Sequence, residues 1–208
     1  MKSISKDELL GKFSDHNLEI YVYDNISSTN DKAKQLLDKA PCLVAAKTQS
    51  SGKGQQGKSF FSPEGGIYMS LCVKPDIEPE SLAFITLMSG MAVRDAVEKI
   101  CEISCKLKYV NDLLIEGKKV CGILTEAVFE GEKLKGVVIG IGINCENTPL
   151  PKELDGVITS LEKECGKQID KNALIAEIVK NLFSGLKNFS AETVKEEYER
   201  VSGIKTGF

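Results

Sequence analysis

Two periods run through the hydrophobic positions of this chain. In Ile67–Val73, the residues Ile67, Met69, Leu71 and Val73 alternate with Tyr68, Ser70 and Cys72. A period of two marks a strand whose two faces meet different surroundings. Residues 19–23 and 42–46 also read as strands. Between them the period lengthens: Ala33, Leu36, Leu37 and Ala40 recur at i, i+3, i+4 and i+7, one face of an amphipathic helix. Ser27, Ser28, Thr29 and Asn30 precede it, and all are good N-caps. A short helix is predicted over Lys6–Lys12 and the longest over residues 81–100. There Ile85, Met88, Ala92, Ala96 and Ile100 form one stripe, widened by Phe84, Leu87 and Met91, broad enough to cover a sheet. Residues 105–144 read as a meander of strands, with turn signals at Glu116-Gly117-Lys118 and Glu130-Gly131-Glu132. Past Pro149 and Pro151 the pattern is helical again. Leu174, Ile178, Leu182 and Leu186 share a face, and Ser190 caps a last helix carrying Val194, Tyr198 and Val201. This order is not the strict βαβ alternation of a doubly wound fold. It predicts one α+β domain over residues 1–208, a mixed, mostly antiparallel sheet with its helices on one side.

Composition narrows the function classes. A hydrophobic fraction of 42% is ordinary for a chain that buries a core. A net charge of −3 argues against general affinity for nucleic acid. No run of about 18 apolar residues is present, so no membrane span is expected. The start, MKSISKDELLGKF, lacks the apolar region of a secretory signal, and a cytoplasmic location is expected. The seven cysteines are scattered and none forms a C-x-x-C pair. They read as small buried hydrophobes in a reducing compartment, not as zinc ligands. The single histidine, His16, is expected at the surface, which leaves little room for a Ser-His-Asp or Cys-His mechanism.

The densest candidate chemistry is SGKGQQGKSF at residues 51–60. Glycine lets backbone N–H groups approach an anion closely, and Lys53 and Lys58 add positive charge. Gly52, Gly57, Lys58 and Ser59 fit the phosphate-binding pattern G-x-x-x-x-G-K-[ST] letter for letter. That motif works only where its lysine and serine open a helix. Here Pro63, Gly65 and Gly66 follow, then a strand pattern, so the match reads as chance. A plain surface loop is the other reading. The surplus hydroxyl and amide groups of residues 27–30 admit two uses as well: capping, or holding a polar ligand at a helix N-terminus.

Four clusters ask for a joint explanation. They are SSTN at residues 27–30, TQSSGKGQQGKSF at 48–60, KYVNDL at 108–113 with GKKVCGIL at 117–124, and GIGIN at 140–144. In this order and spacing they resemble the catalytic domain of biotin protein ligases, over roughly residues 19–200. The family's loop G-R-G-R-x-G-R-x-W is matched at Gly52, Gly54 and Gly57. Lys53, Gln55 and Lys58 stand where it has arginines, and Phe60 replaces its tryptophan. K-W-P-N-D-L appears as Lys108 to Leu113, and the catalytic lysine falls on Lys119, not Lys118. The resemblance implies a two-step reaction with ATP, Mg²⁺ and biotin. Biotin is activated to biotinyl-5′-AMP, then passed to a lysine of a biotin carboxyl carrier protein domain. By residue-wise carry-over, Ser28, Thr29, Asn30, Gln49, Gly52, Lys53, Gly54, Gln55, Lys119 and Gly122 would surround biotin. Lys58, Phe60, Asn111, Gly140, Gly142 and Asn144 would lie beside the nucleotide. Asp112 would partner Mg²⁺, or serve only as a turn aspartate next to Asn111. Lys118 and Lys119 can also be read as solvated hairpin lysines, and Gly140 and Gly142 as relief of crowding in a strand.

The resemblance has gaps. Lysine grips an oxyanion as a point charge where arginine grips it bidentately, and Gln55 is neutral. The small β domain that usually follows the last helix is expected to be absent, as is a helix-turn-helix before Glu19, so no DNA partner is expected. A homodimer is left open. Three other readings compete: a lipoate-type acyl-adenylating ligase, a biotin-binding pseudo-ligase without activity, and a P-loop NTPase.

Overall fold

The computed structural model describes residues 3–14 and 17–207; His16 lies outside them. Seven strands form one sheet in the order β1-β2-β3-β7-β6-β5-β4. They are β1 (Glu19–Ile26), β2 (Cys42–Gln49), β3 (Ile67–Val73), β4 (Lys106–Lys108), β5 (Asp112–Ile115), β6 (Lys118–Glu130) and β7 (Lys133–Ile143). Only β1 and β2 pair in parallel; every other neighbouring pair is antiparallel. The mixed α+β class therefore stands. The expected signals do close the hairpins. Glu116 and Gly117 both take positive φ, 48° and 76°, the tight turn that the strand twist favours between β5 and β6.

The helices are α1 (Lys6–Lys12), α2 (Thr29–Gln35), α3 (Leu82–Cys101), α4 (Leu161–Cys165), α5 (Lys171–Lys187) and α6 (Ala191–Ser202). The α3 stripe lies on the sheet, and α5 and α6 pack against α3. Ile85, Leu87, Val93, Ile139, Leu174 and Ile178 belong to this main core. The helices do not all lie on one side, however. α2 packs on the opposite face, over Cys42, Val44, Cys72 and Val138. Parallel neighbours need a crossover connection, and a crossover must lie on a face of the sheet. The β1-α2-β2 unit therefore carries α2 to the far side. β3 is covered from both sides, and all seven of its residues are buried. This second layer matters for function, because it sets the N-terminus of α2 against the middle of β3, β6 and β7.

The cysteines behave as expected: all seven are free, and all but Cys165 are buried. No helix among the described residues is long and apolar enough to cross a membrane.

Candidate active site

Three parts of the chain converge on one cleft: the first turn of α2, the loop after β2, and the facing strands β6 and β7. Ser28 is the N-cap of α2, its hydroxyl accepting the Asp31 N–H at 3.3 Å. Thr29 and Asn30 follow in the first turn, and all three are buried. Buried polar groups need partners, and the sheet supplies them. Gln49, at the end of β2, accepts the Thr29 N–H at 2.8 Å and donates to the Ser62 hydroxyl at 3.0 Å. The Ser70 hydroxyl, wholly buried on β3, lies 2.6 Å from Asn30 Oδ1 and 2.8 Å from Thr29 Oγ1. Asn30 Nδ2 donates to Glu126 at 2.7 Å and to the Leu124 carbonyl at 3.3 Å. The inner wall of the cleft is thus a closed polar network.

Glycines on β6 and β7 make room for it. A Cβ on Gly140 would stand 2.1 Å from Asn30 Oδ1, and one on Gly142 would stand 2.5 Å from the Phe60 ring. These are close approaches of side chains to backbone, not loosely packed strand positions. Gly122 likewise lies under Phe60 and Lys119.

The glycine-rich loop folds back on itself. The Gly54 N–H bonds the Lys58 carbonyl at 2.7 Å, and the Phe60 N–H bonds the Gly52 carbonyl at 2.8 Å. No helix follows Lys58 and Ser59; the chain runs on to β3. This removes the P-loop reading. Lys53 reaches Asp31 of α2 at 2.7 Å, and that carboxylate holds its pKa up, so the ammonium stays charged.

Lys119 forms the outer wall. Its N–H bonds the Val157 carbonyl at 3.0 Å and its carbonyl accepts from Thr159 at 2.9 Å, so its backbone is clamped. Its ammonium sits 2.7 Å from Asp112 Oδ1 and 5.6 Å from the centre of the Phe60 ring. Nearby Cys121 and Cys145 have thiol pKa values pushed up by burial, so neither offers a thiolate nucleophile.

Most of the expected residues meet here. Ser28, Thr29, Asn30, Gln49, Lys53, Gly54, Gln55, Lys119 and Gly122 line the cleft together with Phe60, Asn111, Gly140 and Gly142. Gly52 does not; its Cβ would strike the Phe60 carbonyl at 2.5 Å, so it serves the closure of the loop. Asn144 lines a second cavity of about 30 Å³, beside Tyr68, Ile158 and Ser160. Lys58 lines neither and is exposed, because the turn at Gln55–Gly57 swings it outward. Asn111 and Asn144 also bond strand and loop carbonyls, Ile123 at 3.0 Å and Thr159 at 3.1 Å, so each clasps the wall it belongs to. Sequence reasoning missed Ser62, Ser70 and Glu126. The usable signals were a hydroxyl in the middle of a wholly apolar strand and a carboxylate within an aliphatic one.

No group of three or more metal-binding side chains occurs among the described residues. Asp112 stands behind Lys119 of the cleft lining, and its buried Oδ1 makes no hydrogen bond beyond the Lys119 charge contact. One carboxylate oxygen suits Mg²⁺ that arrives with phosphates, which fill most of its sites themselves. The cleft itself is narrow, about 50 Å³. A pocket for a cofactor-sized ligand holds roughly 300–1,000 Å³, so the enclosed part of this cleft is smaller than such a ligand.

A model of the biotin/lipoate A/B protein ligase family matches residues 22–144, which include every residue lining the cleft. The chain belongs to this family. Within the biotin/lipoate ligases it is 37% identical over 180 residues to the bifunctional ligase/repressor BirA of Bacillus subtilis (strain 168). That match covers 84% of this chain and 54% of the relative, so the chain spans about half the relative's length. It is 31% identical over 153 residues to the biotin–[acetyl-CoA-carboxylase] ligase of Paracoccus denitrificans, covering 69% of this chain and 62% of that one. Among solved structures, the biotin protein ligase from Aquifex aeolicus in complex with biotin and ATP superposes with a TM-score of 0.75 at 27% identity. It covers 88% of this chain and 78% of that chain. The fold of this ligase-family chain is thus that of a biotin protein ligase.

Proposed function

We propose that this chain activates biotin with ATP and transfers it to a lysine of a biotin carboxyl carrier domain. The observation that carries this reading is the cleft's division of labour. One part of its lining is neutral and polar, Ser28, Thr29, Asn30 and Gln49, while two ammonium groups, Lys53 and Lys119, belong to the rest. Biotin matches that division, with a ureido ring at one end and a carboxylate at the other. A dithiolane ring has no N–H to offer the oxygens of Thr29 and Asn30, which favours biotin over lipoate.

In the first step a carboxylate oxygen of biotin attacks the α-phosphorus of ATP. The bond to the bridging oxygen breaks and pyrophosphate leaves. Two anions must be brought together, and Lys119 stands where it stabilises the charge that gathers on the α-phosphate. Asp112 keeps the Lys119 ammonium in one place and is the group that would hold Mg²⁺. Lys53 meets the biotin carboxylate. The nucleoside extends towards Asn144 and the second cavity. In the second step the neutral amine of the carrier lysine attacks the acyl carbonyl. The bond to the phosphate oxygen breaks, AMP leaves, and the amine's proton goes to solvent.

The test is pyrophosphate release from ATP with and without biotin, in wild type and Lys119→Ala. Release is expected to need biotin and to fall by about 10²–10³ in the variant, the scale of one lost preorganised donor. Release that ignores biotin, or that lipoate drives equally well, overturns the reading.

A further inference from the structure

We propose that Glu126 is a positioning residue that fixes the hydrogen-bond polarity of the cleft's inner wall, and through it the affinity for biotin. This inference rests on the biotin reading above. Glu126 lies on β6 and is not among the residues that line the cleft. Its two carboxylate oxygens have different partners. Oε1 accepts from Lys34 Nζ at 2.6 Å, and Oε2 accepts from Asn30 Nδ2 at 2.7 Å. Asn30 and Lys34 are four residues apart on α2, so both face the same side chain.

The orientation then propagates. An ionised carboxylate only accepts, so the amide nitrogen of Asn30 must face it. Asn30 Oδ1 is thereby turned towards the Ser70 hydroxyl, 2.6 Å away. Ser70 has one proton, and Oδ1 takes it. The Ser70 oxygen is left as an acceptor towards Thr29 Oγ1 at 2.8 Å. The Thr29 proton is the one left to fill that contact, so Thr29 donates to Ser70, while Gln49 Oε1 takes the Thr29 N–H at 2.8 Å. Thr29 then shows only lone pairs to the cleft. A wall of acceptors fits a ring bearing two N–H donors.

Glu126→Gln keeps the shape but has one acceptor where the carboxylate has two. The Lys34 ammonium has only donors, so it captures the new carbonyl oxygen. The new NH₂ then faces Asn30 Nδ2, donor against donor. Asn30 must turn over, and the polarity of the wall inverts. Removing the competitor reverses this: with Lys34→Met the amide oxygen is free to face Asn30 again.

The measurement is biotin affinity by calorimetry, with KM for biotin, KM for ATP and kcat in pyrophosphate release, for wild type, E126Q, K34M and the double variant. E126Q is expected to weaken biotin about 10- to 100-fold, the effect of one mispaired buried group. KM for ATP and kcat are expected to stay within about threefold, since the wall meets the ring and not the reacting atoms. K34M alone is expected within about threefold of wild type, as for a partly exposed ion pair. The double variant is expected to regain most of the lost affinity. If Glu126 merely staples α2 to β6, K34M weakens biotin as much as E126Q does and the double variant recovers nothing; that result overturns the proposal. Equal biotin affinity in wild type and E126Q overturns it alone. A wild type that does not bind biotin overturns this inference and the biotin reading together.

Discussion

An ammonium on a strand beside a buried carboxylate has few rotamers open to it, and Lys119 is further confined by a backbone bonded on both sides to residues 157–159. Such confinement is what electrostatic catalysis requires, because a group already in place pays no reorganisation cost when charge develops. The same economy governs the glycines. Gly140 and Gly142 face different neighbours, and an added methyl group tells the two apart. At Gly140 the added Cβ would meet Asn30 Oδ1 at 2.1 Å and Cγ at 2.7 Å. Asn30 cannot retreat, since its nitrogen is held by Glu126 and the Leu124 carbonyl. Gly140→Ala is therefore expected to cost about 1–3 kcal/mol of stability, by unpairing buried groups, or roughly 2–12 °C in Tm. It is also expected to raise KM for biotin more than tenfold. At Gly142 the neighbour is the edge of the Phe60 ring, a half-buried side chain on the glycine-rich loop. Gly142→Ala should cost less stability than Gly140→Ala. Thermal unfolding of the two variants checks the order, and equal losses would contradict this account of Asn30.

At the scale of elements, the glycine-rich loop is tethered to α2 by Lys53 and Asp31. Both side chains are partly exposed, 45% and 38%, so the pair is worth no more than about 1 kcal/mol. Asp31→Ala is expected to weaken biotin less than fivefold while making the loop a faster site of limited proteolysis. A large loss of affinity would mean that Asp31 does more than hold the loop. The loop and its neighbours also mark what the chain's pattern discloses. Strand and helix periods placed most of the elements, and four clusters of polar and glycine residues gave most of the cleft. Two things were hidden. Positions 33, 36, 37 and 40 promised one helix, yet α2 ends at Gln35 and Leu37–Lys39 is a 3₁₀ turn. Pro41 disfavours the helical region for the residue before it, and Ala40 is extended, with ψ 139°. The other hidden feature was the layer. A period of two says that Ser70 and Val44 share no face with Leu71 and Leu43, but not what covers them. Only the parallel pairing of β1 with β2 brings α2 over that face. Ser70 and Glu126 became partners of Asn30 through that placement, which no local pattern encodes.

At the scale of the whole molecule, two half-sites share the sheet. Under the proposed function, the network on α2, β2 and β3 would serve the ring, and the Lys119–Asp112 wall with the Asn144 cavity would serve the nucleotide. A product that joins the two ligands covalently occupies both half-sites at once, and the second contact is then effectively intramolecular. Stability should report this. A ligand at 100 times its Kd adds about 2.7 kcal/mol to the folded state, which is about 5–10 °C for a chain of this size. Biotin alone is expected to raise Tm by an amount of that order at saturation, and ATP alone by less, because the narrow cleft leaves its phosphates few cationic contacts. Together they are expected to exceed the sum of the separate shifts, since the adenylate forms. The excess should vanish in Lys119→Ala, and also with an ATP analogue whose bond between the α- and β-phosphates cannot be cleaved. Such an analogue still fills the nucleotide half-site. An excess that survives it would mean that the half-sites are coupled through closure of the Phe60 loop and not through the covalent bond between the two ligands.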